Sequence, residues 1–540
     1  MFKDNDRSPF FWIVGLSLLT YIWTIFFGFV YFDDQELILN NLFFLKNLAN
    51  IPAAFVTDAF RILHASAAYY RPLLTVSFML DAQLSGSSPF LYHLTNVIIH
   101  TIASCVVFVF LQKIKIKREI SFLFSIIFTV HPLLSQAVTW IPARDNSLLA
   151  LFSLLSFIYF INFFESGKTK DAIWHLVFFG AALFTKELGL LTAPVIVLYL
   201  LLFEKKRFLS GKLKIPFAWA GIVGFWYILR SFALQDPVRY SFEEAGKGIY
   251  MGLQAVVLDI GKVFFPVNLS ILPPVIQVST LIWGFIAIAL IIVSIVFSKN
   301  KNNKLVLFGT ALFFAFLLPS FIRPGTGYEL NFFEYRMYLP IIGLFIIFSE
   351  IEFVKKFNFS NKKSVLLLGG LISLLIIINY IYSSVYRDKL ALWQSAVLNS
   401  PQLPLAHKNL GAMNYLAGDL DKAEIEFKRA LELSPQEPMI HNNLGLIFAA
   451  RGELAMAEEE YKKELEVNPR YSNALFNYGI VLYRQGRISE AEQMWLETLE
   501  VNPDYIDAMK NLFVLYYTNK DMDRAGYYYT ELQKRGISLQ

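Results

Sequence analysis

The chain opens as apolar runs separated by short polar connections and closes as a regular alternation of charged and apolar positions. Runs of spanning length, about 20 residues each, fall at roughly 10–31, 91–112, 119–138, 146–164, 172–185, 187–203, 214–232, 278–297, 304–322, 336–353 and 364–386. They predict about eleven membrane helices, with polar residues interrupting the pieces around 130–145 and 185–190. An amphipathic stretch near 248–265 predicts an interfacial helix rather than a span. The first run is long enough to span and lacks a small-residue cleavage pattern, so it reads as an uncleaved anchor.

Beyond residue 386 the pattern becomes a repeat. Gly411, Gly445 and Gly479 lie 34 residues apart, as do Ala423, Ala457, Ala491 and Ala525, and Pro401, Pro435, Pro469 and Pro503. A 34-residue period with small residues where helices touch, and proline closing the second helix, is the tetratricopeptide pattern. Full repeats fall at about 405–438, 439–472 and 473–506. A divergent fourth at 507–536 keeps Ala525 but carries Phe513 at the glycine position, as a terminal cap would. Upstream, "LWQSAVLNSP" (392–401) matches the second helix of a partial repeat. The predicted fold class is all-α: a polytopic helix bundle over 1–386, then an α-solenoid over 387–540. Such solenoids dock peptides or proteins on a concave face, or serve as scaffolds for self-association.

Composition agrees with this division. Of 540 residues 56% are hydrophobic, 52 are Phe, and the mean hydropathy is +0.47. Soluble domains run about 45–50% apolar, so the excess belongs to a multi-pass membrane half. Cys105 alone excludes a disulfide framework and a thiolate metal site. The formal net charge of +5 is modest. Membrane lipids are expected partners and nucleic acid is not.

Placement of charge matters more than its sum. Alternate connections hold Lys113, Lys115, Lys117 and Arg118; Lys168 and Lys170; Lys205, Lys206, Arg207, Lys212 and Lys214; Lys299, Lys301 and Lys304; Lys355, Lys356, Lys362 and Lys363. The positive-inside tendency puts these loops and the N-terminus in the cytoplasm. Eleven spans then put the repeats outside. The outer side would hold Asp33, Asp34, Glu36, Arg61, His64 and Arg71, then "HPLLSQAVTWIPARDN" (131–146), then Lys186 and Glu187, then Arg323, Glu334 and Arg336. Each group alone has a plain structural reading as a snorkelling end, an ion pair or a cap. Acids and bases gathered on one face describe a polar site opening outward.

The stretch "YFDDQELILNN" (31–41) marks the end of the first run. Asp33 and Glu36 have capping-box spacing at the start of an expected interfacial helix, "QELILNNLFFLKNLAN". That reading accounts for both and leaves Asp34 without a role.

Taken in order, "FDD…ILNN", "YRPLLTVSF" (70–78), "YHLTNVIIH" (92–100), "VHPLLSQAVTWIPARDNSL" (130–148), "LFTKELGL" (183–190) and "FEYRMYLP" (333–340) precede the repeats. Order and content resemble the transmembrane and tetratricopeptide-repeat-containing (TMTC) protein O-mannosyltransferases and their bacterial relatives, of the GT-C glycosyltransferase superfamily. The resemblance covers nearly the whole chain. It implies a polyprenyl-phosphate-linked sugar as donor, a protein hydroxyl as acceptor held by the repeats, and an extracytoplasmic active site. It implies mannose as the sugar and Asp33 as catalytic base, with Asp34 orienting donor or acceptor. A Ser or Thr hydroxyl needs such a base, and a departing lipid phosphate needs cations. For the phosphate the expected partners are Lys186 and Arg336, then Arg144 and Arg71, with His131 either bonding phosphate or capping a helix. Glu187, Glu334 and Asp145 would support them. No metal-ligand spacing is evident, so a divalent metal stays open. Compact loops favour a bacterial inner membrane with periplasmic repeats; an endoplasmic-reticulum membrane with luminal repeats is the alternative. Other functions weighed are an envelope lipid or glycan glycosyltransferase, a non-catalytic repeat-bearing scaffold, and a transporter. Against the last, no repetition among the spans is visible.

Overall fold

A computed structural model describes residues 7–60, 69–205, 215–234, 241–272, 278–322, 333–535 and 537. Arg61, His64, Lys206, Arg207, Lys212, Lys214 and Arg323 lie outside the described residues. Those described form helices and turns, with no strand among them. The chain divides into two compact units, Met1–Ser395 and Ala396–Gln540.

In the first unit every predicted apolar run is helical, but the runs differ in length. Among the described residues seven helices are long and apolar enough to cross a membrane: Ser8–Phe26, Phe90–Lys113, Ile141–Ser166, Ile215–Ala233, Ser279–Phe297, Asn303–Phe321 and Lys362–Arg387. An eighth is the pair Arg118–Val130 and Pro132–Thr139, bent by 56°. The bend falls at His131-Pro132, where proline takes the place of a helical N–H donor. The remaining runs are shorter: Thr169–Thr185, Glu187–Phe203 and the wholly buried nine-residue helix Pro340–Phe348. The chain is an integral, multi-pass membrane protein. The stretch near 248–265 lies in the helix Phe242–Phe264, opened by a Ser241–Glu244 capping box.

Hydroxyls along the first arm of the bent span are satisfied by their own helix. Along Arg118–Val130, Ser121, Ser125 and Thr129 each donate a hydroxyl to the carbonyl four residues back, at 3.0, 2.7 and 2.7 Å. An unpaired hydroxyl in hydrocarbon would cost several kcal/mol, about the loss of a strong hydrogen bond.

The second unit is built of paired helices, Pro404–Leu416 with Leu420–Leu433, Ile440–Arg451 with Leu454–Val467, Ser472–Arg484 with Ile488–Val501, and Ile506–Thr518 with Met522–Lys534. A Cβ on Gly411, Gly445 or Gly479 would lie 2.5–2.8 Å from the ring of Phe427, Tyr461 or Trp495 on the partner helix. The periodic glycine therefore sets the distance within each pair. The small residues Ala423, Ala457, Ala491 and Ala525 are buried in the same core.

Candidate active site

The first unit encloses a cavity of about 520 Å³. Among its lining residues are Asp33, Arg71, Asp145, Lys186, Glu187 and Arg336, brought together from five separate stretches of chain. Arg230 adds a fourth cation, so four cations face three carboxylates.

Asp145 sits in the first turn of the helix Arg144–Ser166. Its Oδ2 lies 2.7 Å from the Arg71 guanidinium and 3.1 Å from Lys186 Nζ. Lys186 Nζ also donates to Asn146 Oδ1 at 2.8 Å. Both cations are thereby held at the cavity wall by one buried carboxylate. Their second attraction is aromatic: Arg71 lies over Tyr69 and Lys186 over Tyr335, 4.6 and 5.7 Å from the ring centres. Lys186 follows the last turn of Thr169–Thr185, where the chain doubles back on itself. A Cβ on Gly189 would stand 2.4 Å from the Ala182 carbonyl carbon, so only glycine permits this close turn.

Asp33 and Asp34 divide. Asp33 is half-buried and lines the cavity. Burial pushes its carboxyl up to about 6, against the pull of Arg71 and with the push of Asp145 and Glu36. Asp34 is buried and does not line the cavity; its Oδ2 accepts the Val30 N–H at 2.6 Å. Burial pushes it up to about 7, with the Val30 bond opposing. Asp34, expected to orient donor or acceptor, is instead turned away from the cavity and ties the loop to the backbone at Val30, just beyond the first helix. The capping box does not form either. Glu36 accepts from Asn40 instead, at 3.1 Å, and the expected interfacial helix is a series of short turns at Gln35–Leu39, Leu42–Leu45, Leu48–Asn50 and Ile51–Ala54.

Three other expected site residues lie away from the cavity. Arg144 is fully buried, with its guanidinium taken by Asp81 and Asn96 at 2.6 Å, Tyr92 O at 2.8 Å and Ser77 at 2.9 Å. Its donors are spent on the fold, so none faces a phosphate. His131 accepts from the Leu133 N–H and bonds Val263 O, which makes it a cap at the helix bend. Glu334 is buried and receives Lys262 Nζ at 2.6 Å, the Ser270 N–H at 3.1 Å and the Tyr382 hydroxyl at 3.0 Å. It anchors the turn whose next two residues, Tyr335 and Arg336, line the cavity. Asn146, Trp140 and Tyr335 are lining residues that the motifs contain but that residue chemistry alone did not single out. The neighbour of an acid on a helix, or an aromatic beside an arginine, carries no signal until the surfaces meet. Among the described residues, no three His, Cys, Asp or Glu side chains gather to hold a metal ion.

Residues 72–230 match the family model for dolichyl-phosphate-mannose-protein mannosyltransferase. Tetratricopeptide-repeat models match 404–437 and segments between 426 and 538. A Caenorhabditis elegans protein O-mannosyl-transferase is 27% identical over 444 residues, covering 78% of this chain and 62% of the relative. Human protein O-mannosyl-transferase TMTC3 is 32% identical over 228 residues, 38% of this chain and 24% of the relative. The chain thus spans less than two thirds of either relative's length. Of solved structures, the type IV pilus biogenesis factor PilW is 24% identical, covers 33% of this chain and 80% of its own, and has a TM-score of 0.26. In its family-model matches and its relatives, the chain is similar to the TMTC proteins, with a membrane module followed by tetratricopeptide repeats.

Proposed function

We propose that this protein is a membrane glycosyltransferase of the GT-C type. It moves a sugar, mannose by the printed names of its relatives, from a polyprenyl-phosphate donor to Ser or Thr hydroxyls of proteins. The observation that carries the reading is the cavity, whose lining brings Asp33 together with Arg71, Lys186 and Arg336. In a single displacement the acceptor oxygen forms a bond to the anomeric carbon, and the bond from that carbon to the phosphate oxygen breaks. Asp33 takes the acceptor proton, and the departing lipid phosphate keeps the electron pair. Its charge develops beside the three cations, which are already oriented by Asp145 and the aromatic rings. One displacement inverts the anomeric centre. Leu190, Leu191, Phe316, Leu339 and Pro340 give the same cavity an apolar side suited to the first prenyl units.

The charge pattern supports a cavity on the extracytoplasmic face with the repeats on the same side. That orientation rests on counting the short and bent helices as spans. The repeats would hold the acceptor protein. A direct test supplies the purified full chain with a polyprenyl-phosphate-linked hexose and a Ser/Thr-rich secretory protein. The expected result is a hexose mass added to the protein at Ser or Thr, lost in Lys186→Met. Sugar transfer to lipid alone, or no transfer with any polyprenyl donor, would overturn the reading.

A further inference from the structure

A second cavity, of about 440 Å³, lies apart from the candidate site at the other end of the same helices. Its volume falls in the range of small-ligand sites, about 300–1,000 Å³. The helix Asn303–Leu317 brings Leu305 to this cavity and Phe316 to the first. Along Arg144–Ser166, Asp145 stands at the first cavity and Glu165 beside Lys115 of the second. The rise between those two acids is about 30 Å, the thickness of the hydrocarbon layer. The second cavity is thus level with the lipid headgroups of the opposite face, where the basic connections gather.

Four lysines and two carboxylates line it: Lys115, Lys117, Lys355 and Lys356, with Glu350 and Glu352. Two of the lysines are paired. Lys355 Nζ lies 2.5 Å from Glu350 and Lys356 Nζ 3.0 Å from Glu352. Glu350 is buried and also accepts the Asn302 N–H at 2.6 Å, while Lys355 Nζ donates to Asn300 O at 2.6 Å. These bonds fix one wall. On the other, Lys115 shares Glu165 with Lys113, at 3.5 and 3.7 Å, and Lys117 has no ion pair among the described residues. The lining therefore keeps two positive charges beyond its own carboxylates. Buried Ile116, Ile120 and Leu305 add apolar surface, which strengthens the field of those charges.

The backbone gives a separate sign. Lys115 has φ 70°, the left-handed conformation that glycine adopts freely and a residue with a Cβ resists. A lysine there holds its charge at the cavity against the preference of its own backbone, and strain of this kind gathers at binding sites.

We propose that this cavity binds a phosphate group, carried by an anionic lipid headgroup or free in solution. A phosphate monoester bears about −1.5 to −2 charges near pH 7, which matches the two surplus lysines. Lysines at this depth meet the phosphates of the membrane surface. The site is separate from the sugar-transfer reading and does not rest on it.

The test follows melting of the full chain in two arms. One uses phosphatidylcholine nanodiscs with and without phosphatidate; the other uses detergent, with inorganic phosphate against chloride at equal ionic strength. Melting should rise with phosphatidate, with inorganic phosphate, or with both, and the arm that responds names the source. Lys115→Gly with Lys117→Gln should weaken the apparent affinity about 30-fold, and Lys117→Gln alone about five-fold. Glycine suits the backbone at 115 and Lys117 is exposed, so both variants should melt near the parent without ligand. Lys362→Gln with Lys363→Gln, exposed and outside the cavity, should bind as the parent does. No rise in either arm would overturn the proposal. So would undiminished affinity in the Lys115 and Lys117 variants, or an equal loss in the Lys362 and Lys363 variant.

Discussion

Arg144 and Asp145 are neighbours in the first turn of one helix, yet a rotation of about 100° sends one into the protein and the other to the cavity. The difference can be measured. Arg144→Met leaves Asp81 buried without its cation, which costs about 3–5 kcal/mol. That variant should be recovered poorly and melt well below the parent. Lys186→Met leaves Asp145 its Arg71 partner, so it should melt near the parent while losing transfer. Equal stability losses in the two would contradict the assignment of separate roles. The acids of the first loop add a pH signature. Asp33 acts as a base only when ionised, so kcat/KM should rise with pH through about 6. Asp34 has a folded pKa raised from 3.8 to about 7, so its stabilising protonated form is lost as pH rises across that window. Asp34→Asn should flatten that part of the stability profile in thermal melts. An unchanged slope would show that the acid is not buried as described.

At the scale of the element, the breaks matter more than the spans. His131-Pro132 and Lys186-Glu187 interrupt apolar runs, and both are visible as polar residues in hydrophobic sequence. At the second break Gly189 folds the chain back and presents Lys186 to the cavity. Gly189→Ala should cost about 1–3 kcal/mol from overpacking and should reduce transfer more than donor-independent properties; melting at the parent temperature would contradict the close turn. The repeats were legible because their signal is local: glycine meets a ring one helix later, within each 34-residue unit. The candidate site was legible only in part. Asp33, Arg71, Lys186 and Arg336 reach one cavity, but nothing near Arg144 in sequence indicates that Asp81 and Asn96 would take its donors. Glu334 misled for the same reason, since its partner Lys262 stands 72 residues away. Capping spacing at Asp33 and Glu36 misled in the opposite way, because a loop tied down by Asp34 overrides a local helix signal.

For the molecule as a whole, the proposal needs the cavity and the repeats to serve one side of the membrane. Asp421→Cys in a Cys105→Ser background places a thiol at an exposed position in the first full repeat. It should react with an impermeant maleimide added outside intact cells or spheroplasts; protection until lysis would reverse the orientation. Most direct for the central claim is single-turnover transfer from a polyprenyl-phosphate-linked hexose to a Ser/Thr-bearing protein, comparing the parent with Asp33→Asn. Removing a positioned general base costs about 100-fold or more. The proposal predicts that loss in Asp33→Asn with donor binding and melting temperature retained; transfer at the parental rate would contradict it.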